Sequence, residues 1–316
     1  MRILVTGVAG FVGSHVAERL LADGHEVVGL DALTDYYPRP IKERNLAALS
    51  GLPRFTFHEL DLRRDPVVAA IDGVEAVIHE AAMPGLPRSW QEVEAYLDCN
   101  VLAVARLVEA CRTVGVRRFV QASTSSVYGR EAVGDESMPL RPISPYGVTK
   151  LAAEQLLLAN VETFGFPALI LRYFSIYGPR QRPDMAYNRF IEAMLDKRPI
   201  TVFGDGEQTR SNTFVSDAVQ GTVAALEGGQ IGAVYNIGGG ESLTVNGAIA
   251  TIAEILDVQP TIERREAQPG DQRRTGAITT RAEEAFGYRP TVGAREGLTA
   301  QVAWHRALRA VEAKPS

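Results

Sequence analysis

The stretch ISPYGVTK, residues 143–150, contains a tyrosine and a lysine at a spacing that brings their side chains together. Tyr146 and Lys150 are four residues apart, so in a helix they share one face. Ser144 suits the cap of that helix and Pro145 its first position. A tyrosine with a pKa near 10 is a poor base at neutral pH, but a neighbouring ammonium group stabilises its phenolate. We therefore expect Tyr146 to accept a proton from a substrate alcohol, with a surface pair on a helix as the alternative.

A cluster of hydroxyl side chains, STSSVYG at 123–129, supplies polar partners for such a reaction. The cluster follows a β-rich run, so it belongs at the end of a strand. Thr124 is expected to hydrogen-bond the reacting oxygen beside Tyr146, and Ser125 and Ser126 add further hydroxyl groups. A Ser/Thr cluster after a strand is also typical of a plain turn.

A glycine-rich loop, TGVAGFVG at 6–13, predicts a binding site for a dinucleotide. Gly7 allows the tight turn, Gly10 lets the backbone approach a pyrophosphate, and Gly13 lets the following helix pack closely on the strand. That helix presents free N–H groups and the positive end of its dipole to the phosphates. For a glycine triplet taken alone, a tight turn without a ligand is the alternative.

Two acidic residues at predicted strand ends favour NAD as the dinucleotide. Asp31 closes the second strand, where its carboxylate can accept the ribose hydroxyls and would repel a 2′-phosphate. Ala32 follows it, rather than an arginine that would accommodate NADP. Asp61, followed by Leu62, closes the third strand, where a side chain can reach the adenine amino group. A helix cap is the alternative role for Asp61.

Strands that alternate with helices must hold these residues, and they predict a doubly wound parallel α/β sheet of the Rossmann type. Ligands of such sheets bind at the carboxyl ends of the strands. We expect residues 1–173 to form an NAD-binding domain and 174–316 a smaller substrate-binding lobe, with some chain exchange between the two. The predicted strands are 2–6, 26–31, 54–60, 76–82, 117–123 and 167–173. The predicted helices are 12–23, 65–71, 91–114, 146–164, 184–197, 215–228, 245–256 and 295–312.

The composition of the chain argues against several other classes of protein. Its 316 residues carry a net charge of -5 without a Lys/Arg block, so we expect no nucleic-acid partner. No apolar run reaches the length of a membrane span. The five histidines and two cysteines show no metal-ligand spacing, and Cys99 and Cys111 are expected to be buried free thiols. We expect a cytoplasmic protein without a metal ion.

The chain resembles the extended short-chain dehydrogenase/reductase family in motifs that span its whole length: TGVAGFVG, Asp31, Asp61–Leu62, HEAA (79–82), STSSVYG, YGVTK and RYFSIYGP (172–179). The resemblance implies nucleotide-sugar substrates and an NAD that stays on the enzyme. It also implies a homodimer formed by the helices at about 91–114 and 146–164. Glu80 departs from the pattern, because the family commonly has an apolar residue there.

The resemblance implies a role for individual residues of these motifs. The implied catalytic residues are Thr124, Tyr146 and Lys150. The implied contacts to NAD come from Gly7, Gly10, Phe11, Val12, Gly13, Asp31, Asp61, Leu62, Ala81, Ala82, Tyr146 and Lys150. In the second lobe, Arg210 would meet the diphosphate and Asp271 the uridine ribose, roles that suit a guanidinium and a carboxylate.

The two residues after Thr124 predict which reaction of the family takes place. The 4,6-dehydratases resemble T-D-E at these positions and the UDP-glucuronate decarboxylases resemble T-S-E, whereas this chain has Thr124-Ser125-Ser126. Elimination of water therefore lacks its acid and its base. We expect 4-epimerisation, in which carbon 4 is oxidised, the keto-sugar turns, and hydride returns to its other face.

The expected substrate is UDP-glucuronate, and the expected product is UDP-galacturonate. The stretches 33–46 and 180–191 look more like UDP-glucuronate 4-epimerases than UDP-glucose epimerases. The sugar carboxylate is expected to bind the hydroxyls of Ser125 and Ser126. Further substrate contacts are expected from Arg88, Ser175, Arg182 and Arg189. The alternatives are a UDP-glucose or UDP-N-acetylglucosamine 4-epimerase, a UDP-glucuronate decarboxylase, and a catalytically inactive NAD-binding regulator.

Overall fold

A parallel sheet of seven strands lies at the centre of the computed structural model, which describes residues 1–267 and 272–312. The strands in these ranges are β1 Arg2–Thr6, β2 Glu26–Asp31, β3 Phe55–Glu59, β4 Ala76–His79, β5 Arg118–Thr124, β6 Glu131–Gly134, β7 Ala168–Tyr173, β8 Ile176–Tyr177, β9 Ile200–Phe203, β10 Thr209–Ser211, β11 Thr213–Phe214, β12 Val234–Ile237, β13 Ser242–Thr244, β14 Ile262–Arg265 and β15 Arg274–Ala277. The helices are α1 Phe11–Ala22, α2 Arg39–Ala47, α3 Leu86–Ser89, α4 Val93–Leu97, α5 Ala103–Val114, α6 Pro145–Phe164, α7 Ala186–Leu195, α8 Val215–Gly228, α9 Val245–Leu256, α10 Thr280–Phe286 and α11 Ala294–Glu312.

The central sheet has the strand order β12-β7-β5-β4-β1-β2-β3, and every neighbouring pair is parallel. The doubly wound α/β fold predicted from the sequence is thereby confirmed. Side chains of β1 alternate between two cores because successive residues of a strand point to opposite faces. Ile3 and Val5 pack on the side of α1 and α8, while Leu4 packs on the side of α5 and α6. Helices therefore cover both faces, as a parallel sheet requires.

A separate hydrophobic core organises the second lobe. It is formed by α7, α9 and α11 around β9, and it contains Phe190, Ile249, Ile200 and Leu298. A small sheet with the order β13-β10-β15-β6 lies in the same half of the chain, except for its edge strand β6. In the described ranges, none of the helices combines the length and the apolarity needed to cross a membrane.

The two halves of the chain exchange strands. β12 comes from the second half but pairs with β7 at the edge of the central sheet. β6 comes from the first half but pairs with β15 in the small sheet. The division into 1–173 and 174–316, with chain exchange, remains our proposal for the domain organisation.

The predicted helix 91–114 differs from the observed one. It begins only at Val93, and a π-helical turn, Asp98–Leu102, separates α4 from α5. Asn100 in this turn is buried and bonds through its amide to both backbone groups of Met83 and to the Thr149 hydroxyl. A π turn adds one residue to the helical repeat and so can direct a polar side chain inward. Such a local insertion leaves no mark in the 3.6-residue pattern.

Two further differences concern short helices. The predicted helix 65–71 is a single 3-10 turn, Val68–Ile71, because its sequence offers few positions to bury. α2 was not predicted, since its residues RPIKERNLA contain mainly polar side chains. Its buried residues are Lys42, Asn45 and Leu46, which is an unusual core-facing set for a helix.

Candidate active site

A cleft of about 470 Å³ opens at the carboxyl ends of the central strands. It is lined by the segments that follow β1, β2, β3, β4, β5 and β7, together with the start of α6. This is the edge at which an open parallel sheet binds its ligands. The predicted site residues that line the cleft are Gly7, Gly10, Phe11, Val12, Gly13, Asp31, Asp61, Leu62, Ala81, Ala82, Arg88, Thr124, Tyr146, Lys150, Ser175 and Arg182.

The start of α6 is held against the end of β5. Ser144 caps the helix by accepting a hydrogen bond from the Gly147 backbone N–H at 3.1 Å, and Pro145 occupies the first helical position. A Cβ at Gly147 would lie 2.8 Å from the Ser126 carbonyl oxygen, which real Cβ atoms do not tolerate. The glycine therefore lets the helix approach the turn after β5 closely.

This close approach places Tyr146 and Lys150 beside Thr124. The Lys150 side chain is only 3% exposed, and its Nζ donates to the Ala122 carbonyl oxygen at 2.7 Å. Tyr146 is hydrogen-bonded to the side chain of Thr124. The ring of Tyr96 meets the Tyr146 ring edge-on at a centroid distance of 6.3 Å. The three side chains predicted to be catalytic therefore lie together at the end of β5, as expected from the sequence. Their catalytic role remains a proposal.

The electrostatics of Tyr146 differ from the sequence expectation. Burial raises the pKa of Tyr146, while the hydrogen bond from Thr124 and the positive charge of Arg182 lower it. Burial likewise lowers the pKa of Lys150, while the nearby carboxyl of Glu80 raises it. The protein alone therefore does not activate the phenol as the Tyr146–Lys150 spacing suggested, because desolvation of the phenolate outweighs the neighbouring cations.

The turn after β5 directs its three hydroxyl groups differently. Thr124 accepts a hydrogen bond from the Ser126 backbone N–H at 3.1 Å, and its own hydroxyl donates to Ser126 Oγ at 3.2 Å. The Ser125 hydroxyl donates to Gln272 Oε1 at 3.5 Å. Ser125 and Ser126 are both buried, and neither contributes to the cleft lining. The Ser/Thr cluster is thus a capped turn as well as a candidate site.

The glycine loop fits a dinucleotide. Gly7 has a φ of 67°, and a Cβ there would lie 2.8 Å from the Ala81 backbone nitrogen. A Cβ at Gly13 would lie 2.3 Å from the Gly7 carbonyl oxygen. No side chain caps the N-terminus of α1 at Gly10, so the N–H groups of its first turn remain available to phosphates. The backbone cradle and its uncapped helix are what the pyrophosphate of NAD requires.

Asp31, which we expect to meet the ribose, contacts the glycine loop and lines the cleft. Its carboxylate accepts hydrogen bonds from the backbone N–H groups of Ala9 at 3.1 Å and Leu33 at 2.8 Å. Burial raises the pKa of Asp31, and these two hydrogen bonds and the charge of Lys42 lower it. The carboxylate is fixed in place by the loop, with lone pairs left for ribose hydroxyls.

Asp61 makes the hydrogen bonds of a turn, while its contact to adenine remains a prediction. Its carboxylate accepts hydrogen bonds from the Arg63 side chain at 2.8 and 2.9 Å and from the Arg63 backbone N–H at 3.0 Å. The Arg63 side chain is therefore the main cause of the lowered pKa of Asp61. Asp61 thus starts a turn and also lines the cleft, and an adenine ring there would share the carboxylate with a guanidinium.

Two arginines and a tyrosine form a cluster at the outer end of the cleft, and the tyrosine was not predicted. The guanidinium of Arg88 lies 4.6 Å from the Tyr36 ring centroid, and that of Arg182 lies 5.8 Å from it. Arg182 also makes a two-pronged ion pair with Asp184, at 2.9 and 3.0 Å. Three segments that are distant in sequence meet here, so the segment 33–46 alone could not indicate the position of Tyr36.

The remaining predicted substrate residues lie in different places. Ser175, with a φ of 30°, lines the cleft between β7 and β8. Arg189 lies on α7 and lines a separate cavity of about 330 Å³. Arg210 lies on β10, where its guanidinium donates to the Thr209 carbonyl oxygen at 3.0 Å. Asp271 lies outside the described residues.

Two cleft residues could not be assigned from the sequence. Glu80 follows β4, and its Oε1 lies 2.6 Å from the hydroxyl of Tyr173 at the end of β7. Both side chains line the cleft near Lys150.

In the described ranges, the structure contains no group of three or more His, Cys, Asp or Glu side chains that could hold a metal ion.

Comparison with known proteins supports an enzyme of sugar metabolism. Residues 3–238 match the NAD dependent epimerase/dehydratase family. The chain is 41% identical to a Bacillus subtilis (strain 168) protein called "Uncharacterized UDP-glucose epimerase YtcB", over 98% of this chain and 99% of that protein. It is 34% identical to the UDP-glucuronate 4-epimerase of Thermodesulfobacterium geofontis (strain OPF15), over 96% and 95% of the two chains. The solved structure of UDP-glucuronic acid 4-epimerase from Bacillus cereus, in complex with UDP-glucuronic acid and NAD, matches with a TM-score of 0.95 at 39% identity, over 98% of this chain and 100% of that chain.

Proposed function

Since the chain belongs to the NAD dependent epimerase/dehydratase family and is an NAD-dependent nucleotide-sugar 4-epimerase, we propose that it interconverts UDP-glucuronate and UDP-galacturonate. The observation that carries this proposal is the Thr124-Ser125-Ser126 turn at the end of β5, beside Tyr146. It offers hydroxyl groups and no carboxyl group next to the catalytic threonine. Elimination of water needs an additional acid and base in the two positions after the threonine, whereas epimerisation at carbon 4 needs no group beyond Thr124, Tyr146 and Lys150.

Tyr146 is the proposed base of the reaction. Its phenol oxygen takes the proton of the substrate 4-hydroxyl, and Thr124 hydrogen-bonds the same substrate oxygen. The chemistry that NAD supplies when bound is the acceptance of a hydride from carbon 4 and its return to the opposite face. Because burial raises the pKa of Tyr146, the proton leaves the phenol only when positive charge is close. Lys150, held at the Ala122 carbonyl oxygen, and Arg182 are the cations placed to supply it.

NAD would be held by the glycine cradle and the strand ends around it. Gly7, Gly10 and Gly13 leave room for the pyrophosphate, and the first turn of α1, with Phe11 and Val12, offers its N–H groups. Further proposed contacts come from Asp31 to the ribose, Asp61 and Leu62 to the adenine, and Ala81 and Ala82 to the nicotinamide half. These side chains all line one continuous cleft, which supports the assignment.

The carboxylate of the uronate raises a chemical problem that the site must solve. The 4-keto form of a glucuronate is a β-keto acid, which loses CO2 when its carboxylate aligns with the carbonyl π system. We propose that the hydroxyls of Ser125 and Ser126 hold the carboxylate out of this alignment. Ser126 has its Oγ 3.2 Å from Thr124 Oγ1, so a hydroxyl stands next to the reacting centre. Arg182, with Arg88 across the Tyr36 ring, would hold the rest of the nucleotide-sugar.

A neutral UDP-hexose is the second candidate substrate. A relative with 41% identity bears the name of a UDP-glucose epimerase. The mechanism at carbon 4 would be the same, since Thr124, Tyr146 and Lys150 act on the ring hydroxyl and not on carbon 6. The two candidate substrates therefore differ only in the group at carbon 6, which the Ser125–Ser126 turn, Arg88 and Arg182 would have to bind.

The proposal is tested by incubating the purified protein with UDP-glucuronate, without added NAD, and following the nucleotide-sugars by anion exchange and proton NMR. UDP-galacturonate at an equilibrium mixture supports the proposal, together with NAD that stays on the enzyme. UDP-pentose and CO2 as the main products would contradict it in favour of a decarboxylase. If UDP-glucose is turned over and UDP-glucuronate is not, the substrate is a neutral hexose.

A matched pair of variants tests the role of the tyrosine. Tyr146→Phe should lower kcat by about 10²- to 10⁴-fold, because the proton acceptor is lost, and should keep its NAD content. Tyr288→Phe removes a buried phenol outside the cleft, whose hydroxyl donates to the Gly238 carbonyl oxygen, and should turn over like the wild type. Equal turnover by Tyr146→Phe and Tyr288→Phe would rule out Tyr146 as the base.

A further inference from the structure

A line of hydrogen bonds leads from the cleft into the protein interior through Glu80. Glu80 Oε1 lies 2.6 Å from the Tyr173 hydroxyl, and that hydroxyl lies 2.7 Å from Thr222 Oγ1 on α8. Thr222 in turn donates its hydroxyl proton to the Ala218 carbonyl oxygen at 2.7 Å. The far end of the line is a carbonyl, which can only accept.

The number of protons decides the state of the carboxyl group. The line contains three contacts, Glu80–Tyr173, Tyr173–Thr222 and Thr222–Ala218, but its two hydroxyls supply only two protons. All three contacts are filled only when Glu80 is protonated and donates to Tyr173, which then donates to Thr222. When Glu80 is ionised, one short contact between two partly buried oxygen atoms is left without a proton, which is unfavourable.

The surroundings favour the same state of Glu80. Burial raises its pKa to about 7, and the Tyr173 contact and the charge of Lys150 lower it. The titratable groups that act on it are Tyr173 from β7 and Tyr146 and Lys150 from α6. His79 in its own strand is neutral, since burial lowers its pKa to about 3, and α8 contributes only the uncharged Thr222. Glu80 is thus placed to change charge near neutral pH.

The charge of Glu80 acts on both groups of the proposed base. An ionised Glu80 raises the pKa of Tyr146, because a carboxylate disfavours a nearby phenolate. It also raises the pKa of Lys150, which burial lowers. We propose that Glu80 is a positioning residue whose own proton, shared with Tyr173 and Thr222, sets the pH at which Tyr146 changes from a proton donor to a proton acceptor. This inference rests on the proposed role of Tyr146, but its first test does not need substrate.

The first test compares the pH dependence of thermal stability in Glu80→Gln and the wild type. A carboxyl whose pKa is raised by folding stabilises the folded protein below its unfolded-state pKa, and this stability is lost as pH rises through the folded pKa. The Gln amide is always neutral and can donate to Tyr173. The two proteins should therefore melt at nearly the same temperature at about pH 4, below the unfolded-state pKa of a glutamate, and Glu80→Gln at a higher temperature than the wild type at pH 8.5.

A second variant should act in the opposite direction on the carboxyl. Thr222→Val keeps the shape of the side chain but removes one hydroxyl, so Tyr173 can give its proton to an ionised Glu80. The stability loss that the wild type shows between pH 4 and 8.5 should then be smaller in Thr222→Val and be complete at a lower pH, because only the folded-state pKa of Glu80 is lowered. This variant also keeps the test valid if Glu80→Gln fails to fold.

The third measurement follows Tyr146 itself. Tyrosinate absorbance at 295 nm is recorded against pH, and the signal that disappears in Tyr146→Phe is assigned to Tyr146. In Glu80→Gln this signal should appear at a lower pH than in the wild type, and the acid limb of the kcat profile should shift in the same direction. The inference is overturned if the melting curves of the wild type, Glu80→Gln and Thr222→Val have the same pH dependence. It is also overturned if the Tyr146 signal does not move. If the expected shifts in melting and absorbance are observed but the wild type does not turn over UDP-glucuronate, only the proposed substrate is contradicted.

Discussion

At the scale of single residues, the cleft joins groups whose environments oppose their function. Burial raises the pKa of Tyr146 and lowers the pKa of Lys150, so desolvation disfavours both the phenolate and the ammonium that the proposed mechanism uses. If Tyr146 is the base, as we propose, its phenolate therefore depends on charge that arrives with the ligands and on the positive charge of Arg182, which lowers its pKa.

The hydroxyl turn after β5 leads to a prediction about side products. Ser126→Ala removes the Oγ that lies 3.2 Å from Thr124 Oγ1, and Ser125→Ala removes the hydroxyl that faces Gln272. If these groups hold the uronate carboxylate, at least one variant should form several-fold more UDP-pentose per UDP-galacturonate than the wild type. Anion exchange of the reaction mixture measures this ratio. Ser50→Ala, which removes a hydroxyl at the end of α2, is the control, and a wild-type ratio in both site variants would contradict the role of the turn.

At the scale of elements, the approach of α1 to β1 depends on the absence of a side chain. A Cβ at Gly13 would lie 2.3 Å from the Gly7 carbonyl oxygen, so Gly13→Ala must push the helix away from the loop. We expect it to lose at least tenfold in NAD affinity and about 1–3 kcal/mol in stability, the usual cost of overpacking. Gly293→Ala is the control, since a Cβ there meets no atom within 4 Å. NAD titration and thermal melts of both variants test this, and equal behaviour would contradict it.

The helices of the proposed dimer expose apolar side chains. Leu102 in the π turn and Val148 on α6 are 49% and 50% exposed, and such side chains at a helix surface suit burial by a second copy. We expect a homodimer through α4, α5 and α6, and we expect Leu102→Glu with Val148→Glu to yield monomers of 34.3 kDa. Ile231→Glu, at an exposed apolar residue elsewhere, should leave the dimer intact. Light scattering of the wild type, the double variant and Ile231→Glu measures the mass of each protein in solution. A monomeric wild type would exclude the dimer.

Sequence patterns predicted those helices and strands whose apolar residues recur at a regular spacing. β1 to β5, β7 and α6 were found within a few residues, because their apolar patterns and caps are local signals. The π turn around Asn100 and the polar helix α2 were not predicted, since both depend on partners far along the chain. The cleft residues divide in the same way. Tyr146, Lys150 and Thr124 belong to local motifs and come together as expected. No motif assigned a role to Tyr36 or Glu80, and only the fold shows that they line the cleft.

At the scale of the whole molecule, the exchange of β6 and β12 ties the two halves together. β7 would become an open edge without β12, and β15 would lose β6 as its neighbour. The core on the α1 side also needs α8, which comes from the second half. We therefore expect a fragment of residues 1–173 to be largely unfolded or aggregated by circular dichroism and gel filtration. The full chain should melt in a single transition, and a fragment with native-like circular dichroism would contradict this coupling.

The position of β12 also has a consequence for synthesis of the protein on the ribosome. β7 is complete at Tyr173, but its outer neighbour begins only at Val234. At about 5–20 residues per second, the nascent chain spends several seconds with an unpaired β7 edge and an uncovered apolar face. An unpaired strand of this kind readily captures other chains. The yield of active protein in cells should therefore depend on translation speed between these two strands and on chaperones that act on nascent chains.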